Sequence, residues 1–161
     1  MHKIYIKRCI ELATKGDQST KSNPKVGSVI VYNNRIIGEG WHQVYGEAHA
    51  EVNAIASVKE EDKKHLISST IYVSMEPCSH FGKTPPCSHL IVDIKIPHVV
   101  VNRLDPTDKV HSKGIQYLKD HGVKVDFINH DNLGIDILHE FTANAVHQRP
   151  YIQLKLSLIH I

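Results

Sequence analysis

"STIYVSMEPCSHFGKTPPCSHLIVDIKIPHVVVN", residues 69–102, is the stretch that decides the fold. Its first segment, 69–76, and its last, 98–102, are short and rich in β-branched residues, which is typical of buried strands. Between them, residues 85–96 begin with prolines suited to a first helical turn and continue as a helix. A strand, a helix and a strand in this order favour parallel strands joined by a crossover helix.

The flanking segments continue this pattern in both directions. "VGSVIVY" and "RIIGEGW", separated by Asn33 and Asn34, predict a hairpin over residues 26–41. The sequence therefore predicts an α/β fold, in which a mostly parallel sheet carries helices on both faces and the leading hairpin makes the sheet mixed. Further helices are predicted over 2–15, 48–58, 112–122 and 132–146, and a further strand over 123–128.

Composition restricts the class of protein. The 161 residues suit one ordinary domain, and a net charge of +2 with scattered basic residues argues against a nucleic-acid or membrane partner. No apolar run has transmembrane length, and the charged N-terminal stretch is no signal peptide. Three cysteines are too few, and odd in number, for a secreted disulfide scaffold. We therefore expect a reducing, cytoplasmic setting.

Three residues form a candidate zinc site. His49, Cys78 and Cys87 each fall where a predicted helix begins, and the positive end of a helix favours thiolate over thiol. Two sulfurs and one imidazole leave the fourth position of a tetrahedral zinc site for water, which is typical of catalytic zinc. Taken singly, each cysteine also fits a small buried hydrophobe, and the two could pair as a disulfide. Cys9 lies on an apolar helix stripe and is assigned to the core.

Glu51, two residues after His49, is the candidate proton carrier. A carboxylate beside the water position can accept a proton from that water and deliver it to a departing amine. His-x-Glu followed by Pro-Cys and a second Cys is the signature of zinc deaminases, which points to hydrolytic deamination.

Beyond this signature, the chain resembles the deaminase domain of the riboflavin-biosynthesis pyrimidine deaminase–reductases from about Tyr5 to Lys155. The matching stretches are "SNPKVGSVIV", "GEGWH", "GEAHAEVNAI", "YVSMEPCSHFGKTPPC" and "RPYIQLK". The eight residues between Cys78 and Cys87 make the match specific, since cytidine and transfer-RNA adenosine deaminases usually carry Cys-x-x-Cys.

The resemblance implies a three-layer α/β/α, cytidine-deaminase-like fold and a hydrolase that acts on the C–N bond of a cyclic amidine. Its reaction would convert 2,5-diamino-6-ribosylamino-4(3H)-pyrimidinone 5′-phosphate to 5-amino-6-(5-phosphoribosylamino)uracil and ammonia. One Zn²⁺ per chain would be held by His49, Cys78 and Cys87, with Glu51 carrying the proton. A homo-oligomer is expected. The residues that match the family's substrate pocket are Asn23, His42, His80, Lys83 and Asp105.

Some positions depart from the family. Asp105 and Pro106 are followed by Thr107 and Asp108 where Asn-Pro is common, and Leu104 replaces a common arginine. These departures concern contacts on the phosphate side of the pocket, where Lys83 is the nearest cation by sequence. The zinc chemistry is unaffected.

The end of the chain predicts a boundary. Residues 1–147 form the deaminase domain, and 148–155 match the linker and first strand of a reductase domain, otherwise missing here, that uses NADPH in the family. Residues 156–161, "LSLIHI", match a translated transposase adapter, so we expect them to be a sequencing scar and the natural gene to continue. The chain has no Gly-x-Gly-x-x-Gly fingerprint, so we assign it no reductase activity.

Two rival functions remain open. One is another deaminase of the superfamily, acting on a cytosine nucleotide or on transfer-RNA adenosine, although the chain lacks the basic stripe with interleaved aromatics that a nucleic acid requires. The other is a structural zinc module. Such a site usually has four protein ligands, and His80 is the nearby candidate for the fourth.

Overall fold

The computed structural model describes residues 2–82, 84–107, 112–128, 134, 136–150 and 152. Its helices are α1 (His2–Ala13), α2 (Ala50–Ala56), α3 (Cys87–Asp93), α4 (Lys113–Asp120) and α5 (His139–Ala145). Its strands are β1 (Gly27–Tyr32), β2 (Arg35–Trp41), β3 (Thr70–Val73), β4 (His98–Val101) and β5 (Lys124–Phe127). Three 3₁₀ segments, Gln18–Thr20, Glu60–Ser68 and Asp136–Leu138, complete the described elements.

The five strands form one mixed sheet in the order β2-β1-β3-β4-β5. β1 is antiparallel to both of its neighbours, whereas β3, β4 and β5 run parallel. The predicted mixed sheet is confirmed, but the parallel pairings among the described strands are two of four rather than most. The reason is that the hairpin inserts β1 between β2 and β3, which run in the same direction and are connected through α2.

Apolar side chains cover both faces of the sheet, which gives three layers. Along β4, Val99 and Val101 pack on one face with residues of α2, α3 and α4. Val100 points to the other face, where it meets Tyr72 and residues of α1. The predicted three-layer α/β/α arrangement is confirmed, with α1 alone against one face of the described core.

The predicted elements are present with shifted ends. The strand predicted over 69–76 ends at Val73, and the chain beyond it stays hydrogen-bonded to its neighbours, with the Ser74 N–H donating to the Gly27 carbonyl and the Glu76 N–H to the Arg103 carbonyl. The helix predicted over 132–146 is helical from Asp136, first as a 3₁₀ segment and then as α5; residues 129–133 and 135 lie outside the described part. The 3₁₀ segment Glu60–Ser68 was not predicted, because its run of charged residues shows no apolar period.

Helix α2 lies unusually close to strand β2. A Cβ atom added at Gly40 would lie 2.3 Å from the Ala54 nitrogen and 2.6 Å from the Ala50 carbonyl oxygen. At Gly38 the nearest atom, the Ala54 carbonyl oxygen, would be at 2.5 Å. Glycine at these positions therefore lets the helix backbone rest on the strand, which fixes where α2 begins.

One edge of the sheet collects the chain segments that matter for function. Strands β2, β3 and β4 all end at this edge, and the antiparallel strand β1 begins there. Asn23 precedes β1, His42 follows β2, Cys78 follows β3 and Asp105 follows β4. Ligands of open α/β sheets bind outside the carboxyl ends of strands, so this edge is the place for a site. Within the described part of the chain, no helix has the length and apolarity that crossing a membrane requires.

Candidate active site

His49, Cys78 and Cys87 converge on one point. The Nδ1 atom of His49 lies 3.5 Å from the Cys78 sulfur and 3.4 Å from the Cys87 sulfur. Ligand atoms placed 2.0–2.3 Å from a tetrahedral zinc lie about 3.6 Å apart, so these spacings fit a zinc ion. Among the described residues, this is the one group of three or more His, Cys, Asp or Glu side chains close enough to hold a metal, with its ligand atoms all within 4.8 Å of one another.

Each ligand is positioned by the backbone around it. His49 is the N-cap of α2, and its extended backbone (φ −74°, ψ 169°) turns its side chain away from the helix. Cys87 is the first residue of α3 after Pro86, and its backbone N–H donates to the Cys78 sulfur at 3.3 Å. The Cys78 carbonyl accepts from the Ser88 N–H at 3.1 Å, which closes the loop between the two cysteines.

The electrostatics favour a thiolate at Cys78. Hydrogen bonds from the Cys87 thiol, from His49 and from the Cys87 backbone lower the pKa of the Cys78 thiol. The hydrogen bond to Cys78 raises the pKa of His49, and the hydrogen bond to Cys78 together with burial raises the pKa of Cys87. An imidazole beside an anionic sulfur is the donor set that zinc prefers, and neither cysteine is in a disulfide.

Glu51 lies in the first turn of α2 and is 3% exposed. Burial, followed by the Cys78 charge, raises the pKa of its carboxyl group to about 6. A carboxyl group with a pKa near neutrality exchanges protons readily in both directions. Glu51 therefore has the location and the acidity that a proton carrier needs.

His49, Glu51 and Cys78 line a cavity of about 790 Å³. Asn23 and His42 line it together: the Asn23 amide nitrogen lies 3.1 Å from His42 Nε2, and His42 Nδ1 lies 3.1 Å from the Ala48 carbonyl oxygen. Since Nδ1 must donate to that carbonyl, Nε2 is the acceptor and the ring is neutral. Burial lowers the pKa of His42, which also favours the neutral ring.

Of the three other predicted pocket residues, two line the same cavity. His80 is exposed and stands outside the group of metal-binding side chains, which leaves that group with three protein ligands among the described residues. Asp105 is 7% exposed, and its carboxylate accepts from the Thr107 N–H at 2.8 Å. Lys83 lies outside the described residues, so its predicted role stays a prediction.

The cavity also has walls that sequence reasoning missed. Tyr45 lines it from the segment before α2, and Glu76 lines it two residues before Cys78. Phe141, with Ala145 and Val146, forms an apolar wall from α5 and the residue after it. Among these residues, Glu76 alone stands out in the sequence, since it is the one charged residue in the strand segment predicted over 69–76.

Comparison with known proteins gives the family. Residues 1–103 match the family model described as the cytidine and deoxycytidylate deaminase zinc-binding region. A diaminohydroxyphosphoribosylamino-pyrimidine deaminase of Buchnera aphidicola subsp. Schizaphis graminum is 47% identical over 123 residues, which are 76% of this chain and 81% of that protein.

Solved structures agree in sequence and shape. RibD of Acinetobacter baumannii superposes with a TM-score of 0.84 at 38% identity, covering 93% of this chain and 41% of that one. A diaminohydroxyphosphoribosylaminopyrimidine deaminase/5-amino-6-(5-phosphoribosylamino)uracil reductase of Thermotoga maritima gives 0.81 at 36% identity, covering 93% and 42%. The chain thus spans about four-tenths of these longer proteins. By the match of residues 1–103 to the zinc-binding region and by its 47% identity over 81% of the Buchnera protein, the chain belongs to the diaminohydroxyphosphoribosylaminopyrimidine deaminases of the cytidine and deoxycytidylate deaminase family.

Proposed function

We propose that the chain catalyses hydrolytic deamination of 2,5-diamino-6-ribosylamino-4(3H)-pyrimidinone 5′-phosphate to 5-amino-6-(5-phosphoribosylamino)uracil and ammonia. The observation that carries the proposal is the convergence of His49, Cys78 and Cys87 near the buried Glu51, where His49, Glu51 and Cys78 line a cavity large enough for a ribosylated pyrimidine. The 47% identity to a protein named for this deamination supports the choice of substrate.

In this proposal, the two cysteines and His49, through Nδ1, hold one zinc ion. The donor set and the spacings of 3.4 and 3.5 Å fit that ion. When bound, zinc supplies Lewis-acid activation of water at neutral pH. Three ligands among the described residues match a catalytic rather than a structural site, which argues against the structural zinc module.

Glu51 moves the protons. Its carboxylate accepts one proton as water adds to the ring carbon that bears the amino group. The carboxyl group then donates that proton to the departing nitrogen, whose bond to the ring carbon breaks so that it leaves as ammonia. The hydroxyl proton that remains on the new oxygen passes to the neighbouring ring nitrogen, which gives the uracil carbonyl. Because the pKa of Glu51 is raised to about 6, its carboxyl group can both accept and donate a proton at neutral pH.

Asn23 and His42 would orient the pyrimidine. The Asn23 amide nitrogen donates to His42, and this hydrogen bond fixes the orientation of the amide group. The amide oxygen can then accept a hydrogen bond from a ring N–H or amino group of the substrate. His80, Lys83 and Asp105 are proposed to complete the pocket, with Lys83 beside the phosphate. The working enzyme is further proposed to be a cytoplasmic homo-oligomer, linked in the natural protein to a reductase domain that uses NADPH.

Ammonia release from three substrates tests the proposal. Purified protein with one equivalent of zinc is assayed on the diaminopyrimidine ribosyl phosphate, on cytidine and on deoxycytidylate, in ¹⁸O-labelled water. We expect ammonia and a labelled product from the first substrate alone, without NADPH. Turnover of cytidine or deoxycytidylate in its place would assign the chain to another branch of the superfamily.

A further inference from the structure

Glu76 is a buried carboxylate that the proposed chemistry does not use. It follows β3, lies two residues before Cys78 and is 5% exposed. Its backbone N–H donates to the Arg103 carbonyl at 2.8 Å, which ties the end of β3 to the chain that leaves β4. A carboxylate in such a position is stable only if its oxygens accept hydrogen bonds, so its partners define its role.

Four backbone N–H groups surround the Glu76 carboxylate. Oε2 accepts from Ser112 at 2.9 Å and from Asp105 at 3.4 Å. Oε1 accepts from Gly114 at 3.0 Å and from Ile115 at 3.3 Å. A carboxylate offers about four lone-pair sites, and these donors take them all. Glu76 therefore lines the cavity but has no acceptor left for a substrate or a transferred proton.

Three of these donors belong to the start of helix α4. Ser112, its N-cap, makes no side-chain capping bond, so the carboxylate of Glu76 replaces the missing cap and places negative charge at the positive end of the helix. A Cβ atom at Gly114 would lie 1.8 Å from the Pro77 carbonyl oxygen, so glycine is needed for this approach. The start of α4 is thus held directly against the turn that carries Cys78.

The fourth donor belongs to the cavity wall. Asp105, Pro106 and Thr107 all line the cavity, and the Asp105 N–H is the point at which Glu76 holds this segment. Within the segment, Asp105 Oδ1 accepts from the N–H and the hydroxyl group of Thr107. One side chain therefore connects the turn that carries Cys78 to the part of the cavity wall formed by residues 105–107.

We propose that Glu76 is a positioning residue for substrate binding. It holds the segment 105–107 and the start of α4 at the cavity, and it takes no part in proton transfer. This inference rests on the deamination proposed above.

Glu76→Gln is the test, because glutamine keeps the shape but turns an NH₂ group toward backbone donors. We expect unchanged zinc content, a kcat within about threefold of wild type, and a KM raised roughly 10- to 100-fold, as for the loss of hydrogen bonds to a charged group. Glu51→Gln should show the opposite pattern, in which kcat is lost and KM changes little. Asp62→Asn, at an equally buried acid that pairs with Arg35 far from the cavity, should leave KM unchanged.

Amide hydrogen exchange gives a second readout that needs no substrate. In Glu76→Gln, the amides of Asp105, Ser112, Gly114 and Ile115 should exchange faster, while the amides of β3 and β4 keep their protection. If the wild-type chain fails to deaminate the proposed substrate, the function proposed above fails, and exchange still decides whether Glu76 fixes these segments.

Two results would overturn the inference. One is a loss of kcat as large as that of Glu51→Gln at unchanged KM, which would place Glu76 in the reaction. The other is wild-type exchange at the four amides. Should Glu76→Gln not fold, Glu76→Asp keeps the charge with a shorter reach, and wild-type KM and exchange in that variant would equally refute the positioning role.

Discussion

At the residue scale, His49 and Glu51 reach the same site although they are two residues apart. Residues at this spacing within a helix point in different directions. His49, however, is an N-cap with extended backbone, and Glu51 lies in the first helical turn, so the imidazole leaves the helix while the carboxylate stays packed at 3% exposure. The start of α2 thus separates the proposed metal-binding group from the proposed proton carrier.

Glu51→Gln tests this division of work. The amide keeps the size of the side chain but cannot carry a proton, so we expect kcat to fall by about 10²- to 10⁴-fold with zinc content unchanged. Steady-state kinetics and metal analysis measure both. Glu47→Gln, at an exposed acid four residues earlier, is the control and should behave as wild type. An active Glu51→Gln would remove Glu51 from the mechanism.

At the element scale, the sequence predicted most elements because the central strands β1, β3 and β4 are buried on both faces. Residues such as Ile71 and Val99 are apolar for that reason, and β-branched runs stand out in a sequence. Strand order could not be predicted, since β1 inserts beside β3 through pairing that is non-local. The proposed metal ligands were predicted from their spacing, whereas the role of Glu76 was not, because its hydrogen-bond partners are 29 to 39 residues away in sequence.

Gly40→Ala tests the close contact between α2 and β2. The added methyl group would lie 2.3 Å from the Ala54 nitrogen, so the helix must shift, and we expect unfolding to become easier by about 1–3 kcal/mol. Urea unfolding measures the change. Gly82→Ala is the matched control, since nothing lies within 4 Å of its added Cβ atom. Equal stability of the two variants would contradict the packing described here.

Phe141→Ala tests the apolar wall that α5 supplies. Phe141 lines the cavity but is distant in sequence from the matched zinc-binding region, residues 1–103. We expect KM for the diaminopyrimidine substrate to rise about tenfold, in line with loss of a partly buried aromatic contact, with kcat little changed. Phe81→Ala, at a side chain that is 75% exposed, is the control. Equal KM values for both variants would exclude α5 from the binding site.

At the scale of the whole molecule, the apolar core and the proposed metal site consist of different residues. The two apolar clusters on the faces of the sheet contain none of the three proposed zinc ligands, and they join the strands to α1, α2, α3 and α4. A catalytic zinc in such a molecule adds stability by binding the native state, whereas a structural zinc is needed for folding.

Chelation distinguishes these cases. Removal of zinc should lower the Tm by several degrees, through the linkage between binding and folding, while far-ultraviolet circular dichroism stays that of a folded protein. Cys87→Ala, which lacks one ligand, should show no shift when the chelator is added. Loss of all structure on chelation would instead indicate a structural zinc module.

Zinc K-edge X-ray absorption tests the central claim most directly. For protein with one equivalent of zinc, we predict two sulfur scatterers at about 2.3 Å and two nitrogen or oxygen scatterers at about 2.0–2.1 Å, with one sulfur lost in Cys78→Ala. Four protein-derived ligands including a second imidazole, or a zinc spectrum that Cys78→Ala leaves unchanged, would contradict the account.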